Sequence, residues 1–319
     1  MSSPAELAES AFVDIADAVT HALHARLRHP PPPVLYHYTD LNGLRGIIGS
    51  GIVWASHHRF LNDTREGVHG DALFQAVLCD GLPDFVEVPR SADEWRTGVR
   101  YAALMLIRAD PSAFPVIPHV VSLTVLDDDL PQWRGYGANG SGFALGFDTA
   151  KMELDERILV ERVEYDVDMQ RDVVRAMLDV AANRLSSEWS GLAVSSDTAW
   201  ALMSGAAGVL FGFAPVPQAV FKDRGFRSEE EWRIVVEAGI DAAMPTPRFA
   251  ADAKVRGPRR IPYFELQLRR DGRLPLAEVV TGPALDPAAA KAEVEAVLVA
   301  SGYDPAVVRV RPSSIPYRP

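Results

Sequence analysis

The sequence predicts an α+β fold, and three observations carry that expectation. Apolar, β-branched runs recur at 34–39, 52–56, 116–125, 142–148, 159–165, 231–237, 263–269, 277–283 and 307–312. They lie on both sides of a mainly helical block at 167–213, without the regular strand–helix alternation of a doubly wound parallel sheet. The composition is that of a globular chain, with 319 residues, 48% of them hydrophobic, 24% charged and 8% aromatic. A chain of this length buries roughly three quarters of its unfolded surface and needs no metal or disulfide for stability.

The elements follow in order. Residues 4–28 set Leu7, Phe12, Ile15, Ala16, Val19, Leu23 and Leu27 near one helical face, which predicts an amphipathic N-terminal helix. Pro30–Pro33 ends it. VLYHYT then reads as a strand, Asp40 caps a short helix through Ile48, and Gly49 and Gly51 stop it before the strand IVWAS and the loop 57–66. A helix is expected over Glu66–Asp80. Another opens at the capping box Ser91-Ala92-Asp93-Glu94 and runs to about Arg108. Thr198–Phe221 carries no charge and is long enough to span a bilayer. Ser204, Gly205, Pro215 and Pro217 favour a buried core helix ending near Phe213 instead. Residues 241–260 read as a long mobile loop and 287–301 as a last helix.

The formal net charge is −11, which argues against bulk electrostatic binding of nucleic acid but allows a local basic cleft. A lone Cys79 builds neither a disulfide framework nor a zinc knuckle, and fits a reducing cytoplasm. The first residues have no basic n-region, so no secretory signal is expected, and with Thr198–Phe221 read as a core helix no membrane association is expected.

Most motif-like stretches have ordinary explanations. Gly135–Gly140 fits G-x-G-x-x-G, but LPQWR before it reads as loop and GFALGF after it as strand, the reverse of a dinucleotide-binding turn. His57-His58 and Asp127-Asp128-Asp129 read as solvated loop residues without metal-ligand spacing, and no metal is expected. P-loop, zincin and serine-hydrolase signatures are absent from the sequence.

Three places resist that treatment. Tyr36-His37-Tyr38-Thr39 sets polar groups inside an apolar strand. Trp133-Arg134-Gly135-Tyr136-Gly137 sets aromatic rings among glycines, where backbone can approach a flat ligand. Glu229-Glu230-Glu231 stands directly before the β-branched run Trp232–Val236, and an acid turned inward there would have a functional motive.

These residues carry a resemblance. His37-Tyr38-Thr39, Trp54-Ala55-Ser56, Leu61-Asn62-Asp63 with Glu66, Trp133–Tyr136 leading to Leu145–Phe147, Glu231-Trp232-Arg233, Thr281-Gly282-Pro283 and Ile315-Pro316-Tyr317-Arg318 resemble the signposts of an uncharacterised bacterial family. Their span implies one domain over 34–319, preceded by the helix at 1–29 and interrupted by the helical insertion at about 167–213. More distantly the layout resembles the ADP-ribosyltransferase superfamily. That resemblance implies a split β-sheet core, a His on the first strand, a Ser/Thr or aromatic middle element and a Glu before a late strand. His37 takes the first role and Glu231 the last, with Glu229-x-Glu231 matching the spacing of the arginine-modifying branch. Ser56, Tyr136 and Trp133 are all candidates for the middle element.

The resemblance further implies NAD as cofactor, held by His37, Tyr38, Thr39, Ser56, Trp133 and Tyr136. Catalysis would fall to Glu231, Glu229 and His37, and the acceptor would be a protein, nucleic acid or small molecule. A carboxylate near the anomeric carbon would stabilise the oxocarbenium-like charge that develops as nicotinamide leaves. A toxin or phage-defence role belongs to the same implication. The competing expectations are a nucleotide-binding or protein-interaction module without turnover, and a transferase directed at phosphate or nucleic acid using Arg45, Arg59 and Arg65.

Overall fold

The computed structural model describes residues 4–60, 66–109, 118–155, 158–236, 248–251 and 260–317. Its sheet is organised around strand β3 (His119–Thr124), whose run HVVSLT is buried at every position but Ser122. One edge of β3 pairs antiparallel with β6 (Glu231–Val236) along its whole length, from His119↔Val236 to Thr124↔Glu231. The opposite edge is divided between two strands. β2 (Ile52–His57) pairs with it at His119 and Val120. β1 (Val34–Thr39) joins only at Tyr36↔Thr124. Between these pairings the sheet opens beside Ser122, and the His37 side chain bridges the opening, with Nδ1 3.0 Å from the Ser122 carbonyl oxygen.

From this junction the sheet extends both ways. β1 continues into β4 (Phe143–Asp148), β9 (Leu276–Thr281) and the parallel strand β10 (Arg309–Pro312). β2 continues into β8 (Arg260–Gln267) and β7 (Arg248–Ala251), and β5 (Ile158–Arg162) lines the outer edge of β6. The expected α+β class holds, in a mixed open sheet of ten strands among the described residues. One strand was not expected: β7 lies inside the stretch read as a loop, where its pairing to β8 orders a segment of low strand propensity. The rest of that stretch, 241–247 and 252–259, lies outside the described residues, as do Leu61–Asp63, Arg65 and Arg318.

Side-chain alternation gives the sheet two faces. Leu35, Val121, Leu123, Leu145, Trp232 and Ile234 point into a core closed by α2 (Leu41–Ser50) and α9 (Pro287–Ala300). α2 is held as its sequence requires. The Asp40 side chain accepts from the Gly43 N–H, and Gly51 ends the helix in the left-handed region.

The opposite face has two separate coverings. Over β3 and β6 lies a helical block, formed by α1 (Pro4–Leu27), α3 (Glu66–Cys79), α4 (Ala92–Ala109), α6 (Val167–Trp189), α7 (Ser196–Phe213) and α8 (Pro215–Val220). Ile15, Val19, Leu23 and Leu27 of α1 share this core with Met177 and Leu185 of α6 and Met203 of α7. Ser196–Val220 is long and apolar enough to cross a membrane. In this fold Ala199, Leu202, Ala206, Ala207 and Leu210 of that stretch are packed among helices, as a core helix requires. Over β1, β4 and β9, among the described residues, lies α5 (Leu130–Gly135) with Ile315, around Tyr36, Tyr38 and Trp133. Between the two coverings a strip of the sheet stays open, directly above the β1–β3 junction.

Three local expectations are corrected. LPQWR is the body of α5 rather than loop, because Asp129 caps it through the Gln132 N–H and Pro131 suits a first helical turn. His58 is buried at 3% exposure rather than solvated. Asp127–Asp129 is an anchored turn. Arg311 pairs with Asp127, while Ser313, Ser314 and the Trp133 indole all donate to Asp128. Burial pushes the Asp128 carboxyl up, and these hydrogen bonds overcome it and hold the group below its usual range.

Glu161 is the misfit of this face. It sits on β5 opposite Arg233, only 3% exposed, and its Oε2 has no hydrogen-bond partner. Burial pushes its carboxyl up to about 7. A raised folded-state value means the native protein holds this proton while the unfolded chain releases it. Stability therefore falls as pH rises from about 4.5 through about 7 and is flat above. Glu161→Met removes that charge at similar volume. In urea titrations the variant is expected to be more stable than the parent by on the order of 2 kcal/mol at pH 8, with the difference vanishing near pH 4.5.

Candidate functional site

The open strip forms a narrow cleft of about 70 Å³, lined by Tyr36, His37, Tyr38, Ser122, Thr124, Gln132, Tyr136, Glu229 and Glu231. The three stretches singled out in the sequence thus converge, because β1, β3 and β6 are neighbours and α5 ends beside them. A groove of about 690 Å³ adjoins it, lined by His37, Thr39, Asn42, Gly46, Trp54, Ser56 and Glu265 among others. His37 belongs to both.

An ion network forms the back of the cleft. The fully buried Arg233 donates from Nε (2.8 Å) and Nη2 (2.9 Å) to the two carboxylate oxygens of Glu231, and from Nη1 to the Ala219 carbonyl. Lys222 Nζ donates to Glu231 at 2.8 Å and to Glu229 at 2.6 Å. Glu229 Oε1 also accepts from the Tyr136 hydroxyl at 3.1 Å. The sequence of charges from Arg233 to Glu229 alternates and sums to zero, which is what allows four ionised groups to sit at the edge of a core. Burial pushes the Glu231 carboxyl up, but Arg233 and Lys222 outweigh that and hold it well below the usual carboxylate range. Burial likewise pushes the Tyr136 phenol above its usual range, with Glu229 adding to it.

The two acids differ in access. Glu231 is the first residue of β6, buried at 4%, and both its oxygens are engaged by cations. The Glu229 side chain keeps 18% exposure. Its backbone carbonyl is pinned by the Thr124 hydroxyl at 2.7 Å and by Gln132 Nε2 at 3.4 Å. Alternation does not relate Glu229, Glu230 and Glu231, because the strand begins only at Glu231. Arg224–Glu229 is a 3₁₀ turn, and Glu230 is an exposed residue in the left-handed region at φ 42°.

His37 presents a defined tautomer. Burial pushes its imidazole below the ordinary value, so the ring is neutral at pH 7. A carbonyl oxygen only accepts, so Nδ1 carries the proton donated to Ser122 and Nε2 is left as an acceptor.

The other expected site residues are distributed unevenly. Thr39 and Ser56 line the adjoining groove with His37. Tyr38 borders the cleft, but its hydroxyl donates to the Leu126 carbonyl and accepts from the Asp129 N–H. Tyr136, 36% exposed, sits at the mouth. Trp133 is a correction. It is fully buried, edge-on to Tyr38 at 4.6 Å, and borders neither space, so it stacks on no ligand. The glycine beside it serves the indole itself, since a Cβ on Gly137 would lie 2.6 Å from the Trp133 ring. Arg45 is taken by Glu293 at 2.5 Å, and the side chains of Arg59 and Arg65 lie outside the described residues. Among the described residues no cluster of His, Cys, Asp or Glu is placed to hold a metal ion.

Sequence reasoning missed Lys222, the residue that joins the two acids. Its signal was present: it is the first charge after the uncharged run Thr198–Phe221, and a cation placed directly behind Phe221, itself fully buried, needs a buried partner.

The fold and cleft define a mixed α+β protein with a neutral, ion-paired pocket at the opening of its sheet. Residues 132–234, about a third of the chain, match a family model described as "Protein of unknown function (DUF2971)". The match starts at Gln132 and ends at Ile234, taking in Tyr136, Lys222, Glu229 and Glu231 and leaving out β1 with His37. The signposts at 35–66 and 281–318 fall outside it. No curated protein and no solved structure matches the chain.

Removing the shared cation tests the network. Lys222→Met leaves Glu229 and Glu231 facing each other and is expected to cost about 3–5 kcal/mol in urea unfolding. Adding Glu229→Gln removes one of the two facing charges and should recover part of that loss. Additive losses would show that Lys222 does not couple the acids.

Proposed function

We propose that the cleft binds NAD⁺ and breaks its nicotinamide–ribose bond, passing ADP-ribose to water or to an acceptor, on a fold of the ADP-ribosyltransferase type. The observation that carries this reading is the convergence of His37, from the opening of the sheet, with Glu229 and Glu231, at the start of β6, on one cleft. In the step proposed, the bond between ribose C1′ and the nicotinamide nitrogen breaks, and its electron pair leaves with neutral nicotinamide. The incoming oxygen or nitrogen bonds to C1′ and loses its proton to solvent. Positive charge develops at C1′ in between, and a fixed carboxylate lowers its energy.

Accessibility assigns the two acids different duties. Glu229 is the carboxylate with room to meet a ribose, after the Tyr136 hydroxyl gives up its hydrogen bond. Glu231 is a positioning residue that fixes Lys222, and through it Glu229. His37 Nε2, an acceptor, suits a ribose hydroxyl.

The reading is checked by nicotinamide release from NAD⁺, followed by chromatography. Glu229→Gln is expected to lower the rate 10²-fold or more with the fold intact, on the order of 3 kcal/mol of transition-state stabilisation. Glu230→Gln, on the exposed neighbour, should leave it unchanged. His37→Ala should weaken NAD⁺ binding in calorimetry. Folded wild-type protein that binds NAD⁺ without releasing nicotinamide would instead make this a binding module, and a rate unaffected by Glu229→Gln would remove the mechanism.

A further inference from the structure

The groove beside the cleft has a chemistry of its own. Trp54 lies mid-strand in β2, where large apolar groups are normally covered, yet it is 52% exposed. One face of its indole is stacked on Tyr263, with ring centroids 4.2 Å apart and planes 27° from parallel. Alternation places Ser56 on the same side of β2, toward His37. Across the groove run Thr39 and the α2 residues Asn42 and Gly46. A Cβ on Gly46 would meet nothing within 4 Å, so the space continues over the helix.

The walls are aromatic and neutral-polar. Among the described residues Glu265 is the one acid that lines the groove and no lysine or arginine lines it, and the Glu265 charge is met from outside the lining by Arg248. Such a lining suits a planar, uncharged heteroaromatic ring with a hydrogen-bonding edge, and does not suit a phosphate. A rigid, stacked aromatic platform binds a base at low entropic cost. Arg248 donates to Glu265 Oε1, and the second carboxylate oxygen, which can only accept, favours a base carrying an exocyclic amine. The net charge of −11 turns away a nucleic-acid strand, leaving a single nucleoside as the occupant.

We infer that this groove is a base subsite, with Trp54 as its stacking surface and Glu265 as the acceptor for an exocyclic amine, as in adenine. The inference rests on the reading above, in which His37 marks where ribose passes from groove to cleft. It is tested by calorimetry on the full chain with adenosine, uridine and nicotinamide mononucleotide. Wild-type protein is expected to bind adenosine at least fivefold more tightly than uridine. Trp54→Ala should weaken adenosine at least tenfold and leave nicotinamide mononucleotide within twofold, and Glu265→Gln should erase the preference over uridine. Gly46→Leu fills the groove from an open helical position and should produce the same loss of adenosine if Trp54→Ala fails to fold. Adenosine that does not bind the folded wild type, or binds both variants as tightly, overturns the subsite even where nicotinamide is released. Adenosine binding lost in these variants supports it even where no nicotinamide is released, so the two readings fail separately.

Discussion

The cleft depends on the bidentate pairing of Arg233 with Glu231. Arg233 is fully buried on β6, between β3 and β5, and a guanidinium there is tolerable only with its charge met and its donors used. Glu231 meets the charge, and the Ala219 carbonyl takes a further donor. With Glu231 fixed, Lys222 has an anion to sit against on leaving α8, and with Lys222 fixed, Glu229 is drawn over the edge of the sheet. Each charge is placed by the one before it. The geometry at the solvent is thus set by an ion pair no ligand reaches, which makes for stiffness at the cost of tolerance to change.

The same logic separates what was legible in the sequence from what was not. Strands and helices were legible because each reports itself locally: Asp40 and Gly51 bracket α2, Ser91 and Glu94 cap each other, and β-branched runs mark the sheet. His37 was legible as a polar group inside an apolar strand, Tyr136 as an aromatic ring among glycines, and Glu229 and Glu231 as acids set directly before a β-branched run. One misreading was local, since Asp129 and Pro131 beside LPQWR already signal the start of α5; the others involve partners remote in the chain. Asp128 reads as a solvated acid until Ser313 and Ser314, 185 and 186 residues away, reach it. Trp133 reads as a ligand platform until Tyr38 and Asp128 enclose it. Strand β7 exists because β8 is beside it. Lys222 and Trp54 were visible as residues, but their roles depend on what faces them across a gap.

Two kinds of surface meet at His37. On one side the lining is ionic and cramped; on the other it is aromatic, neutral and ten times roomier. A single small molecule has little reason to need both, whereas a ligand with a charged or polarisable sugar end and a flat ring end would use each for what it is suited to. Ser122 holds the imidazole between them, so the join between the two spaces is a rigid one.

The division of the β3 edge has a consequence for how the molecule comes into being. β3 takes its partners from positions 36, 56–57 and 231–236, β4 joins β1 from 143–148, and β8, β9 and β10 arrive from 260–267, 276–281 and 309–312. Pairings so distant along the chain close late and slowly. During synthesis the N-terminal half emerges with β1, β2 and β3 made but one long edge of β3 bare, and neither acid has yet been translated. The cleft comes together only after β6 is released, and the edge strand β10 follows later still. A chain that stops short of the turn before β6 lacks Glu229, Glu231 and Arg233, and with them the back of the cleft.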